Sequence, residues 1–204
     1  MANVLLDELL PLIHGRSISA PDSVLREHLT AATADFLAAT HLWREPLVDD
    51  VTISGTQDYY FYNYPNIIVE SVLWVTLDGA TLAHSDPRLI GKSLLTQTGK
   101  PQRYWVKDDT ILMLHPIPDG EYAFSGEAAL KPSRDATTIP QWLYETWADT
   151  LVDGAVWRIA SIPGKSWSDA SLALFHKQRF DRAKANALTR DLRQIELRVR
   201  PHAF

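Results

Sequence analysis

The spacing of the apolar residues changes twice along this chain, and that change constrains its fold more than any other feature. Near both ends, apolar residues recur every three or four positions, as an amphipathic helix requires. From Val51 to Leu130 the spacing shortens and turn residues separate the apolar runs, which is typical of strands. The order predicts an α+β fold: a helical bundle with a long C-terminal helix and an inserted antiparallel β domain.

Two helices are predicted near the N-terminus. The first is short and apolar, and Pro11 and Gly15 end it. The second begins at a capping box, Ser19-Ala20-Pro21-Asp22, and runs to about Trp43, because Pro46 prevents its continuation.

Two more helices are predicted in the C-terminal third. The pattern Thr138-Ile139-Pro140-Gln141 indicates a second capping box, and the helix behind it ends at Pro163-Gly164. Gly154 lies inside that helix at a cost of about 1 kcal/mol against alanine, so we expect another backbone close to it. The last helix runs from about Asp169 to Glu196 and is roughly 40 Å long. Its predicted stripe is Leu172, Phe175 or His176, Phe180, Ala183, Ala187 and Leu192.

The central segment is predicted to hold five or six antiparallel strands. Asp78-Gly79 follows an apolar, β-branched run and is a strong hairpin signal. A second hairpin is predicted at Lys107-Asp108-Asp109. These changes divide the chain into residues 1–44, the N-terminal helices; 45–135, the inserted β-rich domain; 136–197, the C-terminal helices; and 198–204, an extended arm.

The charge is unevenly distributed. The net charge is −5, but residues 176–204 contain eight basic and three acidic residues, which leaves −10 on the rest. A basic end on an acidic body favours an acidic partner surface or nearby nucleic acid, and a solvated helix face is an equal alternative. The first twelve residues lack the basic start of a signal peptide, and no run is apolar for roughly the 18 residues of a membrane span. We expect a soluble protein.

No motif for catalysis or metal binding is complete. Gly91-Lys92-Ser93 and Gly164-Lys165-Ser166 match the end of a phosphate-binding loop but lack its first glycine. The seven histidines form no zinc-type pair, and the chain has no cysteine. The prediction is therefore that the protein is not an enzyme and has no catalytic residue, metal or cofactor.

Aromatic residues are abundant. Seven tryptophans are rich for this length, and core packing is the favoured explanation for most of them. Exposed tyrosines are common at protein interfaces. The candidate surface patch comprises Tyr59, Tyr60, Tyr62 and Tyr64.

The second half of the chain resembles the head–tail adaptor (connector) proteins of tailed bacteriophages, especially short-tailed ones. The residues that carry the resemblance are Lys131-Pro132-Ser133, Ile139-Pro140-Gln141-Trp142-Leu143, Trp147, Asp153-Gly154-Ala155, Pro163-Gly164-Lys165-Ser166-Trp167, Phe180 and Ala183. The first helices fit the same layout, so the resemblance covers most of the chain.

The resemblance implies a structural virion protein, assembled in the host cytoplasm and located in the neck or tail. About twelve copies would form a ring on the portal and connect it to a tail or nozzle protein. DNA would pass through that ring during genome ejection without specific binding.

Each part of the chain then has an expected role. The arm that binds the portal would be Arg198, Val199, Arg200, Pro201, His202, Ala203 and Phe204. The contacts between subunits would include Arg179, Arg182, Arg190 and Arg193. The tyrosine patch would face the tail.

Other functions stay open from sequence. A carbohydrate-binding or tail-receptor module is motivated by the aromatic β segment, and a tail or neck protein that does not contact the portal shares the same structural class. A hydrolase, motivated only by abundant acids and histidines, ranks last because every motif search failed.

Overall fold

The computed structural model describes residues 2–16, 18–61, 65–89 and 96–199, and only the backbone of 48–50, 89 and 190–199. Helices account for 40% and strands for 29% of the chain. Two compact units are distinguished. The terminal unit comprises residues 1–42, 66–68 and 131 onwards, and the central unit comprises residues 43–65 and 69–130.

The terminal unit is built around helix α3. Its strands β1 (Asn3–Leu5) and β10 (Thr138–Pro140) pair antiparallel, which brings the start of the chain beside the start of α3. Its helices are a 3-10 turn (Leu6–Leu9), α1 (Leu10–His14), α2 (Asp22–Thr40), α3 (Gln141–Ala160) and α4 (Ala170–Val199). Helix α3 packs against both α2 and α4.

Aromatic rings fill the centre of the terminal unit. Phe36 and Phe180 are fully buried, and their ring centroids lie 6.3 Å apart. The ring of Trp147 lies 5.0 Å from that of Phe36. The three rings come from α2, α3 and α4, so each of these helices contributes to a single core.

The central unit contains two four-stranded sheets among the residues that the structure describes. The strands are β2 (Arg44–Val51), β3 (Asp58–Tyr60), β4 (Ile67–Leu77), β5 (Ala80–Thr81), β6 (Ala83–His84), β7 (Arg103–Lys107), β8 (Ile111–His115) and β9 (Ala123–Pro132). One sheet has the order β2-β9-β4-β5 and the other β3-β8-β7-β6.

Both predicted hairpins are confirmed. Strands β4 and β5 pair antiparallel around Asp78-Gly79, and both turn residues have positive φ (50° and 78°), as a type I′ turn requires. Strands β7 and β8 pair antiparallel with Lys107 opposite Ile111. Asp108 and Asp109 lie in that turn with φ values of 52° and 56°.

The predicted helical bundle with a long C-terminal helix and one inserted antiparallel β domain is wrong. The chain has a mixed α+β fold with four α-helices and three multi-stranded sheets within the described residues. Strand β1 lies in a segment that was predicted to be helical, because a three-residue strand is too short to show a period. The pairing is also not wholly antiparallel, since β6 and β7 run parallel.

The predicted capping boxes are also wrong. Helices α2 and α3 have Pro21 and Pro140 as their N-cap residues, and neither cap makes a side-chain hydrogen bond. Thr138 belongs to strand β10 instead. Each helix is therefore preceded by a proline, whose ring restricts φ, and not by a residue that caps the helix with its side chain.

Candidate protein–protein interfaces

Helix α4 has one buried face and one exposed apolar face. Ala173, His176, Phe180 and Ala187 are at most 7% exposed. Leu174, Phe175 and Leu188 are 58%, 53% and 43% exposed. Positions 174 and 188 form one row along the helix, and positions 175 and 182 form a second row about a third of a turn away, so all four lie on the half of α4 that faces away from the core. We call Leu174, Phe175, Arg182 and Leu188 the α4 ridge.

A buried hydrogen bond explains why His176 and not Phe175 faces the core. His176 Nδ1 lies 2.7 Å from Asp153 Oδ1 on α3, and the two side chains are only 3% and 4% exposed. Arg179 Nε donates to the other carboxylate oxygen of Asp153 at 2.8 Å. A buried carboxylate needs such partners, so this pairing fixes the rotation of α4 and turns Phe175 outwards.

Other basic side chains of α4 are neutralised within the chain. Lys177 pairs with Asp181 at 2.5 Å, and Lys184 approaches Asp35 of α2 at 3.5 Å. Asp35 also accepts a hydrogen bond from Arg158 of α3 at 3.0 Å. Arg182 is exposed and forms no ion pair with any described residue.

Gly154 lies where three helices meet. An added Cβ would lie 2.7 Å from Cε2 of Phe180 and 2.9 Å from Cβ of Ala32. The sequence predicted another backbone close to Gly154, whereas the three nearest atoms belong to the buried side chains of Phe180 and Ala32. The glycine allows α2 and α4 to approach α3 closely.

The structure describes two of the four predicted subunit-contact arginines in full. Arg179 is partly exposed and held by Asp153, and Arg182 is exposed on the ridge. Both line a groove between α3 and α4 with Asp149, Thr150, Ala183 and Asn186. The side chains of Arg190 and Arg193 lie outside the described part, although their backbone is helical.

The predicted portal-binding arm falls mostly outside the described residues. Arg198 and Val199 have helical backbone at the end of α4. Arg200, Pro201, His202, Ala203 and Phe204 are not described. The function of the arm stays a prediction.

The tyrosine patch is described only at Tyr59 and Tyr60. Tyr60 is 69% exposed, whereas the ring of Tyr59 lies 5.1 Å from that of Phe124. The Tyr59 hydroxyl accepts the N–H of Ile53 at 2.9 Å, and burial raises the pKa of this hydroxyl. The structure therefore does not bring these two tyrosines together, and Tyr62 and Tyr64 lie outside the described residues.

The described residues contain no group of three His, Asp or Glu side chains that could hold a metal ion. His115 is buried without a partner for its Nδ1, and burial, with a smaller effect of Arg103, lowers its pKa. Gly164-Lys165-Ser166 forms the turn between α3 and α4, in which Lys165 N donates to Ser168 Oγ. Gly91-Lys92-Ser93 lies outside the described residues.

No helix in the described part of the chain is long and apolar enough to cross a membrane.

Exposed apolar side chains such as those on α4 are typical of surfaces that associate with other proteins. The family model of the SU10 adaptor protein matches residues 3–201. The chain therefore belongs to the SU10 adaptor protein family. No curated protein matches the chain.

Membership confirms the resemblance to phage head–tail adaptors. The protein is a structural adaptor of a bacteriophage virion, and the family implies a location in the neck and association with portal and tail. A structural adaptor family also suggests that the protein is not an enzyme. The short-tailed type of phage stays a prediction.

Proposed function

We propose that the protein forms a ring of about twelve copies that docks on the portal, connects it to the tail and lines the DNA channel. The observation that most supports this proposal is the α4 ridge. The outer half of α4 combines three exposed apolar side chains with an arginine that forms no ion pair with a described residue, and such a surface is typical of interfaces. Family membership supports the portal and the tail as partners.

In this proposal α4 contacts the neighbouring subunit. Arg179 and Arg182 lie beside the exposed apolar side chains, and Arg190 and Arg193 follow on the same helix. Arginine suits such contacts because its planar guanidinium forms several hydrogen bonds and packs against apolar surface. Residues 1–44 and 136–197 together form the body of the ring.

Residues 198–204 form an arm that binds the portal. A segment of seven residues buries little surface, so a single contact is weak. In a ring, however, about a dozen such contacts act together and their effective concentration is high. A weak arm is therefore sufficient to hold the ring on the portal.

Charge supports a channel through which DNA passes without sticking. Outside residues 176–204 the chain has a net charge of −10. An acidic wall repels the phosphate backbone, which removes the main sequence-independent attraction between proteins and DNA. Residues 45–135 face outwards or towards the tail, with Tyr60 available for contact.

Removing residues 199–204 is expected to leave a folded protein that no longer binds portal. The truncated residues lie beyond the described core, so the circular dichroism spectrum and the thermal midpoint should be unchanged. Portal binding is measured by co-sedimentation of the purified protein with assembled portal. We expect at least about a tenfold loss of affinity, because the loss is repeated in every copy.

Lys107→Ala provides a matched control, because it removes one exposed positive charge from the central unit. It should bind portal normally. Undiminished portal binding by the truncated protein would contradict the role of the arm. If neither protein binds portal but both bind tail protein in a pull-down, the protein is a neck or tail component that does not contact the portal.

A further inference from the structure

The terminal unit has a second exposed apolar patch, of opposite charge to the α4 ridge. Leu5 and Leu12 are 52% and 42% exposed, and the exposed Glu8 lies between them in sequence. Glu8 follows Leu5 by three residues across a 3-10 turn and precedes Leu12 by four, so the three side chains share one side. We call Leu5, Glu8 and Leu12 the N-terminal patch.

The side chains on the opposite side of this segment are buried in the core. Leu6, Leu9 and Ile13 are at most 2% exposed. The segment is also fixed at its start, because Leu5 pairs with Thr138 and Leu6 N donates to Thr137 O. The N-terminal patch is therefore held in place on the terminal unit. Its two leucines are exposed and do not contribute to the core.

Each surface contains one charge that the described residues leave unpaired. Near the N-terminal patch, Asp7 forms a bidentate pair with Arg26 at 2.7 and 2.9 Å, but Glu8 pairs with nothing described. On α4, Arg179 and Lys177 have their own carboxylates, but Arg182 has none. Each surface thus combines apolar side chains with a single free charge, and the two charges are opposite.

We propose that the N-terminal patch of one copy is the docking site for the α4 ridge of the next copy, with Glu8 paired to Arg182. Complementary apolar and charged groups support this occupant, because a second copy supplies both. Pairing the ridge with itself would place two Arg182 side chains together, which like-charge repulsion disfavours. Two different surfaces make a head-to-tail contact, and such contacts form a ring when the rotation between neighbouring copies closes.

This inference rests on the proposed ring and identifies the two surfaces that meet in it. A charge exchange tests it. Arg182→Glu and Glu8→Arg are each expected to weaken self-association at least about tenfold, because each places two like charges at the contact. An equimolar mixture of the two variants should associate as well as the wild-type chain, since each interface then joins opposite charges again.

The measurement is sedimentation velocity over a concentration series up to the millimolar range. Lys107→Glu is the control for Arg182→Glu, and Glu121→Arg is the control for Glu8→Arg. Each makes a comparable charge reversal at an exposed side chain of the central unit. Both controls should associate like the wild-type chain. Either a mixture no better than its components, or a wild-type chain that stays monomeric throughout, would overturn the inference.

Covalent trapping gives an independent readout, because the chain has no cysteine of its own. A Glu8→Cys/Arg182→Cys variant should give a ladder of disulfide-linked multimers on oxidation, while each single-cysteine variant should give dimers at most. Equal yields from single and double variants would contradict the head-to-tail contact. Portal binding does not depend on this result, so loss of the ladder with portal binding retained rejects the interface and leaves the proposed function standing.

Discussion

Gly154→Val is expected to destabilise the terminal unit by at least about 3 kcal/mol. Even a single Cβ at position 154 would lie 2.7 Å from the Phe180 ring and 2.9 Å from Ala32 Cβ. Both neighbours are fully buried and cannot move aside without opening the core. Valine adds two more carbons and a restricted χ1 in the helix.

Urea denaturation followed by circular dichroism measures this loss. The free energy of unfolding of Gly154→Ala should fall between those of the wild-type chain and Gly154→Val, because a gain of about 1 kcal/mol in helix propensity offsets part of the overpacking. Ala39→Val is the control, since it adds two carbons at an exposed position of α2, as the step from alanine to valine does at position 154, and should cost less than about 1 kcal/mol. A Gly154→Val protein of wild-type stability would mean that the three helices are not so closely packed.

Asp153→Ala is expected to destabilise the protein by about 1–3 kcal/mol, because it removes the only described hydrogen-bond partner of the buried His176 side chain. His176 is 2% exposed and lies on the face of α4 that packs on α3. Without this contact α4 should be able to turn about its own axis, and Phe175 should then change position. Hydrogen exchange of the α4 amides provides a second readout.

Arg179→Ala is the informative comparison for Asp153→Ala. The Arg179 side chain is 43% exposed, so its pair with Asp153 is partly screened by water. We expect a loss of less than about 1 kcal/mol. If both variants cost the same small amount, the buried pair does not orient the helix, and the explanation for the exposed Phe175 fails.

The hairpins could be predicted from sequence because their signals are local. Asp78-Gly79 requires positive φ at both residues, and few residue pairs tolerate that. The start of the chain could not be predicted in the same way. Strand β1 has only three residues, and its pairing with β10 depends on a partner more than 130 residues away. The local sequence around Val4-Leu5 contains no pattern that indicates this partner.

The rotation of α4 shows a second limit of pattern reading. The periodicity left Phe175 and His176 as equal candidates for the buried stripe, and hydrophobicity alone favours phenylalanine. His176 is buried instead of Phe175 because it forms a hydrogen bond with the carboxylate of Asp153. That carboxylate lies 23 residues earlier, on another helix. Sequence reasoning therefore named α4 and its arginines as a subunit contact, which stays a prediction, and it missed the α4 ridge. The signal was present, since Leu174, Phe175 and Leu188 fall outside the stripe that contains Phe180 and Ala187.

The N-terminal patch was missed for a related reason. Val4, Leu5, Leu9 and Leu12 recur at the spacing of a single helical stripe, although Leu5 and Leu12 are exposed and Leu9 is buried. The change from strand to 3-10 turn to α-helix within twelve residues alters the period at each step.

Electron microscopy of the purified protein mixed with assembled portal tests the central claim most directly. The account predicts a closed ring on one end of the portal, with one α4 helix at each boundary between neighbouring copies. Portal particles that stay bare at saturating protein, or a ring in which α4 faces no neighbouring copy, would contradict it.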